Sequence, residues 1–190
     1  MPPTRVYALK SLALTSEHAA VKAFWIVTFA LLTAVGAQIE IPHQPVPFTM
    51  QTFFVLLSGG LLGMRKGSLS MVLYLGLGIV GFPVFSSAGF GLARILGPTG
   101  GYLLSFPIAA FVVGWLLSIR WSFGWIAFSM ALGLLAVFVL GTLQLGAVTG
   151  MEWGDAFSSG FLIFSWWDIL KLVAASAVVR SVGPGIVKPT

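Results

Sequence analysis

The run FSSGFLIFSWWDILKLVAASAVVRSV, residues 157–182, is long enough to cross a bilayer as a helix, and it carries Asp168 and Lys171 within it. Charged residues make up only 8% of the chain, so two of them deep in an apolar run require a cause. Three residues apart on a helix, their side chains share a face and can pair. An ionised side chain at the centre of a membrane helix costs about 2.5–3.5 kcal/mol on insertion scales, so such groups face a bundle interior or a watery cavity. Two readings follow: a site for a small polar ligand or ion, or an ion pair that only ties helices together. Read as one helix, residues 157–182 put Asp168 near mid-depth and Lys171 one turn deeper.

Hydrophobic residues make up 58% of the 190. Soluble domains average about 45–50% apolar and about 25% charged residues, so this composition is that of a polytopic membrane protein embedded in a lipid bilayer. The net charge of +5 would point to nucleic acid in a soluble chain. Here the cations cluster between apolar runs, which topology explains, and no nucleic-acid partner is expected. Cysteine is absent, so disulfides, thiolate metal sites and cysteine nucleophiles are excluded.

A membrane helix needs roughly 17–25 apolar residues to cross about 30 Å of hydrocarbon. Six candidate helices meet or approach that length: 19–38, 49–64, 68–82, 101–119, 123–148 and 157–182, with 1–18 as an N-terminal cytoplasmic or interfacial segment. The expected fold is therefore an all-α integral membrane protein, a single membrane domain of six transmembrane helices. Arg5, Lys10, Lys22, Arg65, Lys66, Arg120, Arg180 and Lys188 all fall on one side of such an arrangement. The positive-inside rule makes that side, and both termini, cytoplasmic. Glu40, Glu152 and Asp155 fall on the other side, with Arg94 as its cation. A re-entrant hairpin over residues 49–82 would strand Arg65 and Lys66 within the bilayer.

Enzyme signals are nearly absent. His18 and His43 are the only histidines, too few for a zinc site of three or four converging ligands. Gly89 and Gly91 precede Arg94 without completing a GxGxxG fingerprint, and no phosphate-binding GxxxxGK[ST] loop is present. The chain is read as a non-enzyme without a cofactor, unable to drive transport by its own ATP hydrolysis. Polar groups instead converge on the external half. Loop one, QIEIPHQPVPFTM (38–50), holds three prolines and reads as an ordered, extended segment flanked by Gln38 and Gln51. Loop three, FPVFSSAGFGLARILGP (82–98), contains Arg94 and suits a lid or binding wall. Thr99 can N-cap the following helix, whose exposed N–H groups suit an anion. On the first helix, Ala30 and Ala34 form a small-xxx-small spacing that fits either a partner protein or a neighbouring helix of the same bundle.

Four pieces carry a resemblance to a known family: AQIEIPHQPVPFTMQTFFVLLSGGLLG (37–63), GFPVF (81–85), GPTGGYLLSF (97–106) and DILKLVAA (168–175). In combination they resemble the BioY family, the biotin-specific S components of energy-coupling-factor transporters. The likeness covers about residues 30–182, with Ser105 standing where glycine is expected. The resemblance implies a six-helix membrane subunit that captures biotin at the external face. It implies a multi-pass location in a prokaryotic cytoplasmic (inner) membrane, and partnership with a transmembrane coupling protein and two cytosolic ATPases. It makes Asp168, Lys171, Arg94, Gln51, Phe85, Ser86, Thr99 and Tyr102 the expected substrate-binding residues. It also puts the family's AxxxA contact for the coupling protein on Ala30 and Ala34.

The chemistry is compatible. Asp168 can accept the ureido N–H groups of biotin, and Lys171 can donate to the ureido carbonyl. Arg94 or Thr99 can meet the carboxylate, and Phe85 and Tyr102 can pack the ring; a reversed pose puts the carboxylate on Lys171. The competing readings are an S component for another small vitamin, a membrane enzyme using the Asp168/Lys171 pair, and a structural subunit without a ligand.

Overall fold

The structure, a computed structural model, describes residues 18–162 and 166–182. Arg5, Lys10 and Lys188, which contribute to the charge pattern, lie outside the described residues, as does most of the N-terminal segment 1–18. The elements in order are α1 (Ala19–Gln38), β1 (Glu40–Ile41), β2 (Phe48–Thr49), α2 (Gln51–Val80), a 3-10 turn (Ser86–Ala88), α3 (Leu92–Leu96), α4 (Gly100–Ile119), α5 (Phe123–Thr149), α6 (Trp153–Gly160) and α7 (Trp166–Val182). Helices α1, α4 and α5 are long and apolar enough to cross a membrane. They turn large apolar side chains outward as well as inward: Phe24, Leu31, Phe111, Trp115 and Phe128 are all exposed. A helix that is apolar all round belongs in a core or in lipid.

Helix α2 is a hairpin. Gly63 has φ 77° and ψ 176°, far outside helical geometry. A side-chain carbon at Gly67 would sit 2.6 Å from the Ser58 carbonyl oxygen, and Gln51 reaches Tyr74. In a straight helix Gln51 and Tyr74 would be about 35 Å apart at 1.5 Å per residue. The two limbs, 51–62 and 64–80, therefore run antiparallel, with the turn at Gly63 tighter than the 65–67 connection expected from sequence. The first limb rises only about 18 Å. Its Gly59 lies against the Ala110 backbone of α4, where an added Cβ would come within 2.9 Å of Ala110 Cα. Gly114 of α4 meets the backbone of Gly63 and Met64 in the same way. Small residues on both surfaces let these backbones touch, which is how helices associate where no water drives them together.

Two expectations need correction. Loop one is not merely extended: β1 and β2 pair antiparallel, Glu40 with Thr49 and Ile41 with Phe48, so the fold is helical with one small β-hairpin. Residues 157–182 are not one helix either. Helix α6 closes as the N–H groups of Phe161 and Leu162 both donate to the Phe157 carbonyl, each at 2.9 Å. Tyr102 Oη donates to the Gly160 carbonyl at 2.9 Å and holds the break against α4. A new helix, α7, starts at Trp166, so Asp168 stands in its first turn rather than at the middle of a span.

Gly63, Gly59 and Gly76 give a test of the hairpin. Gly63→Ala should destabilise by about 1–3 kcal/mol, because that backbone region is essentially restricted to glycine. Gly59→Val should cost more, as it collides with the α4 backbone. Gly76, with open space around its Cβ position, should tolerate alanine or gain from it. Thermal unfolding in detergent measures all three. An increase in stability for Gly63→Ala would mean that α2 is an uninterrupted helix.

Candidate functional site

The two loops and the first turns of α2, α4 and α7 meet at the end of the bundle that carries Glu40 and Arg94. An inner cavity of about 70 Å³ lies beneath an outer vestibule of about 790 Å³, and Pro47, Ser86 and Thr99 line both. Tyr102, Leu103, Phe106 and Phe138 give the inner cavity an apolar wall, while Gln51, Thr52, Asp168 and Lys171 give it a polar one. A mostly apolar chamber with a few convergent polar groups is the usual form of a small-molecule site.

Lys171 organises the polar wall. Its ammonium donates to Asp168 Oδ1 at 2.5 Å, to Thr52 Oγ1 at 2.8 Å and to the Thr49 carbonyl at 3.0 Å. An ammonium has three hydrogens, so its donors are fully engaged within the chain. Asp168 and Lys171 are buried, at 2% and 8% exposure. Burial of an isolated charge would be prohibitive, and here each charge offsets the other. The first turn of α7 also carries the partial positive charge of a helix start, which favours the Asp168 carboxylate. The pair thereby ties α7 to β2 and to the start of α2, elements more than a hundred residues away in sequence.

A second set of bonds runs behind the cavity. Thr49 Oγ1 donates to Gln51 Oε1 at 2.8 Å, Gln51 Nε2 donates to Tyr74 Oη at 2.5 Å, and Tyr74 Oη donates to the Val84 carbonyl at 3.0 Å. Loop three is stapled to its neighbours by two further glutamines. Gln38 donates to the Phe85 carbonyl at 3.0 Å and accepts from the Ala88 N–H at 3.1 Å. Gln144 donates to the carbonyls of Ile95 and Gly97, at 2.7 and 2.9 Å. Ser87 donates to Glu40 Oε1 at 2.6 Å and joins loop three to β1.

The structure brings Asp168, Lys171, Gln51, Ser86, Thr99 and Tyr102 together around the inner cavity. Arg94 lines the outer vestibule instead. Thr99 occupies the N-cap position of α4, but its side chain makes no capping bond and is left to face the cavity. Phe85 is not a wall of either space. It is buried, edge-on to Tyr74 with ring centroids 5.6 Å apart, and fills the gap over Gly78. Ala30 is likewise fully buried and Ala34 packs beside it, both against the core shared with α2, so Ala30 offers no surface to a partner. Sequence reasoning missed Thr49, Thr52, Phe106 and Phe138. Thr49, Thr52 and Phe106 lie within the quoted motifs, which was a usable signal; nothing local marks Phe138.

Residues 10–187 match the model of the BioY family. A biotin transporter BioY of Thermotoga maritima is 43% identical over 150 residues, covering 79% of this chain and 88% of that protein. A probable biotin transporter BioY of Pyrococcus horikoshii is 43% identical over 155 residues, covering 81% and 90%. The chain belongs to the BioY family. A crystal structure of the S component for biotin from an ECF-type ABC transporter shares its fold, with a TM-score of 0.80 at 23% identity over 88% of this chain and 93% of that one.

The buried pair predicts an asymmetric set of variants. Lys171→Met, which leaves Asp168 without its cation, should cost about 3–5 kcal/mol of stability. Adding Asp168→Asn to it should recover a large part of that loss, since no uncompensated charge then remains. Thermal unfolding of the two single variants and the double variant in detergent checks this. Equal, additive losses would mean that the two side chains do not act as a pair.

Proposed function

We propose that this chain binds biotin in the inner cavity and serves as the S component of an ATP-driven importer of the energy-coupling-factor type. The observation that carries the reading is the Asp168–Lys171 pair, set beside an aromatic chamber that two ordered loops enclose. Biotin has a ureido group, a thioether ring, a valerate chain and a carboxylate. Asp168 accepts the ureido N–H groups. Tyr102, Phe106 and Phe138 pack the ring and chain, with Gln51, Ser86 and Thr99 as polar neighbours. Arg94, in the vestibule, meets the carboxylate. Lys171 acts indirectly: it offsets the charge of Asp168 and holds loop one in place, because its own hydrogens are committed to Asp168, Thr49 and Thr52. The reversed pose, with the carboxylate on Lys171, would have to break one of those bonds.

The proposed topology is six crossings of a prokaryotic cytoplasmic membrane, with both termini cytoplasmic and the whole chain one membrane domain. The two limbs of α2 count as the second and third crossings. Gly63, at the tip, meets α4 at Gly114, about 7.5 Å along the axis from the helix end at Ile119. Arg65 is exposed there, and long cationic side chains can reach the interface from such a depth. Lys22, Arg120 and Arg180 lie at the same end. A transmembrane coupling protein and two cytosolic ATPases complete the transporter. Since Ala30 and Ala34 pack inward, the coupling face falls on the outer side of α1, where Ala19 and Ala23 repeat the four-residue spacing and are both exposed.

The native chain has no cysteine, which makes the topology directly testable. Glu152→Cys should react with an impermeant thiol reagent added outside intact cells, and Lys66→Cys should not. External labelling at position 66 would overturn the six-crossing arrangement.

Function and coupling separate in a second experiment. Purified wild-type chain should bind biotin at one site by calorimetry in detergent. Ala23→Trp should retain that binding and lose co-purification with the coupling protein and ATPases. Failure of the wild type to bind biotin, with tight binding of another vitamin, would assign a different substrate; retained co-purification of Ala23→Trp would remove this face from the interface.

A further inference from the structure

Tyr74 is fully buried and lines neither the cavity nor the vestibule, yet it decides which atom of Gln51 the cavity receives. The Val84 carbonyl can only accept a hydrogen bond. Tyr74 has one hydroxyl hydrogen and gives it to that carbonyl at 3.0 Å. The phenol oxygen therefore meets Gln51 as an acceptor, and Gln51 must turn its amide nitrogen toward it, at 2.5 Å. The amide oxygen then faces Thr49, whose hydroxyl donates at 2.8 Å. A flipped amide would take the Tyr74 hydrogen for itself and leave the Val84 carbonyl unpaired, at a free-energy cost. One amide hydrogen on Gln51 remains uncommitted to this chain of bonds, and Gln51 is a wall of the inner cavity.

We infer that Tyr74 is a positioning residue that fixes Gln51 as a hydrogen-bond donor, not an acceptor, toward the bound ligand. The ligand class this selects is one that presents an acceptor oxygen at that wall, beside the acceptor Asp168 that selects N–H groups. Together the two residues read a group with donors and an acceptor side by side. The inference rests on the biotin reading, since a cyclic urea is such a group. It also makes loop three part of the selection without any contact to ligand, because Val84 sets the direction of the whole relay.

A double-mutant cycle on biotin affinity tests it, with binding by the wild type as the control. Tyr74→Phe keeps the ring and its contacts with Phe85 and Phe106. It should weaken biotin about fivefold, the worth of one net hydrogen bond. Gln51→Leu should weaken it at least as much. The double variant should bind no more weakly than Gln51→Leu alone, because residues acting through one contact are not additive. Should Tyr74→Phe fail to yield folded protein, Thr49→Val frees the other end of the same amide and should show the same non-additivity. An unchanged affinity, or losses that simply add, would overturn the positioning role. Absence of biotin binding by the wild type would instead overturn the reading beneath it, and this inference with it.

Discussion

The Lys171 ammonium has three hydrogens, and the structure directs them to three elements: α7 through Asp168, β2 through the Thr49 carbonyl, and α2 through Thr52. The constraint is electrostatic in origin. Neither charge could be buried alone, so the position of one dictates the position of the other. The start of α7 at Trp166 puts Asp168 where the helix dipole favours an anion, and a turn later Lys171 reaches back to the loop. An acceptor group is thereby held at the cavity wall by an ammonium that is itself anchored on Thr49 and Thr52.

The scaffold makes this possible through close backbone contact rather than through bulk. Gly59 on Ala110, and Gly114 on the turn at Gly63, bring the α2 hairpin against α4 at van der Waals distance. Around the cavity, Tyr102, Phe106 and Phe138 leave a space instead of filling it. Above them, three glutamines act as staples: Gln38 and Gln144 fix loop three to α1 and α5, and Gln51 joins it to loop one through Tyr74. Amides suit this task because each carries both donor and acceptor atoms: Gln38 uses both on loop-three backbone, Gln144 donates twice, and Gln51 bonds the hydroxyls of Thr49 and Tyr74.

Much of this was legible in the sequence because charge is rare in the chain. The Asp168/Lys171 pair, the cation clusters and the two long loops stood out against an apolar background. What stayed hidden was tertiary. The break between α6 and α7 lies within a run that reads as one span, and Tyr102, far upstream, takes the Gly160 carbonyl there. The turn at Gly63 is fixed by one backbone conformation that any glycine in the run could have supplied. Phe85 was read as a ring-packing residue because it sits in a candidate lid, but burial over Gly78 makes it a foundation of that lid. Ala30 and Ala34 could face either way, since α1 carries alanines on both sides, and only the packing of α2 decides that they face inward. Thr52, by contrast, lay within the quoted pattern, and its partner Lys171 could not be inferred without the fold.

The central claim is that ligand is read by Asp168 and Gln51 while Lys171 remains bound within the protein. A structure of the chain with biotin bound, at a resolution that separates the ureido and carboxylate ends, tests it most directly. The account predicts the ureido group within hydrogen-bond distance of Asp168 and Gln51, with Lys171 still on Thr49 and Thr52. Biotin carboxylate on Lys171, with those two contacts broken, would contradict it.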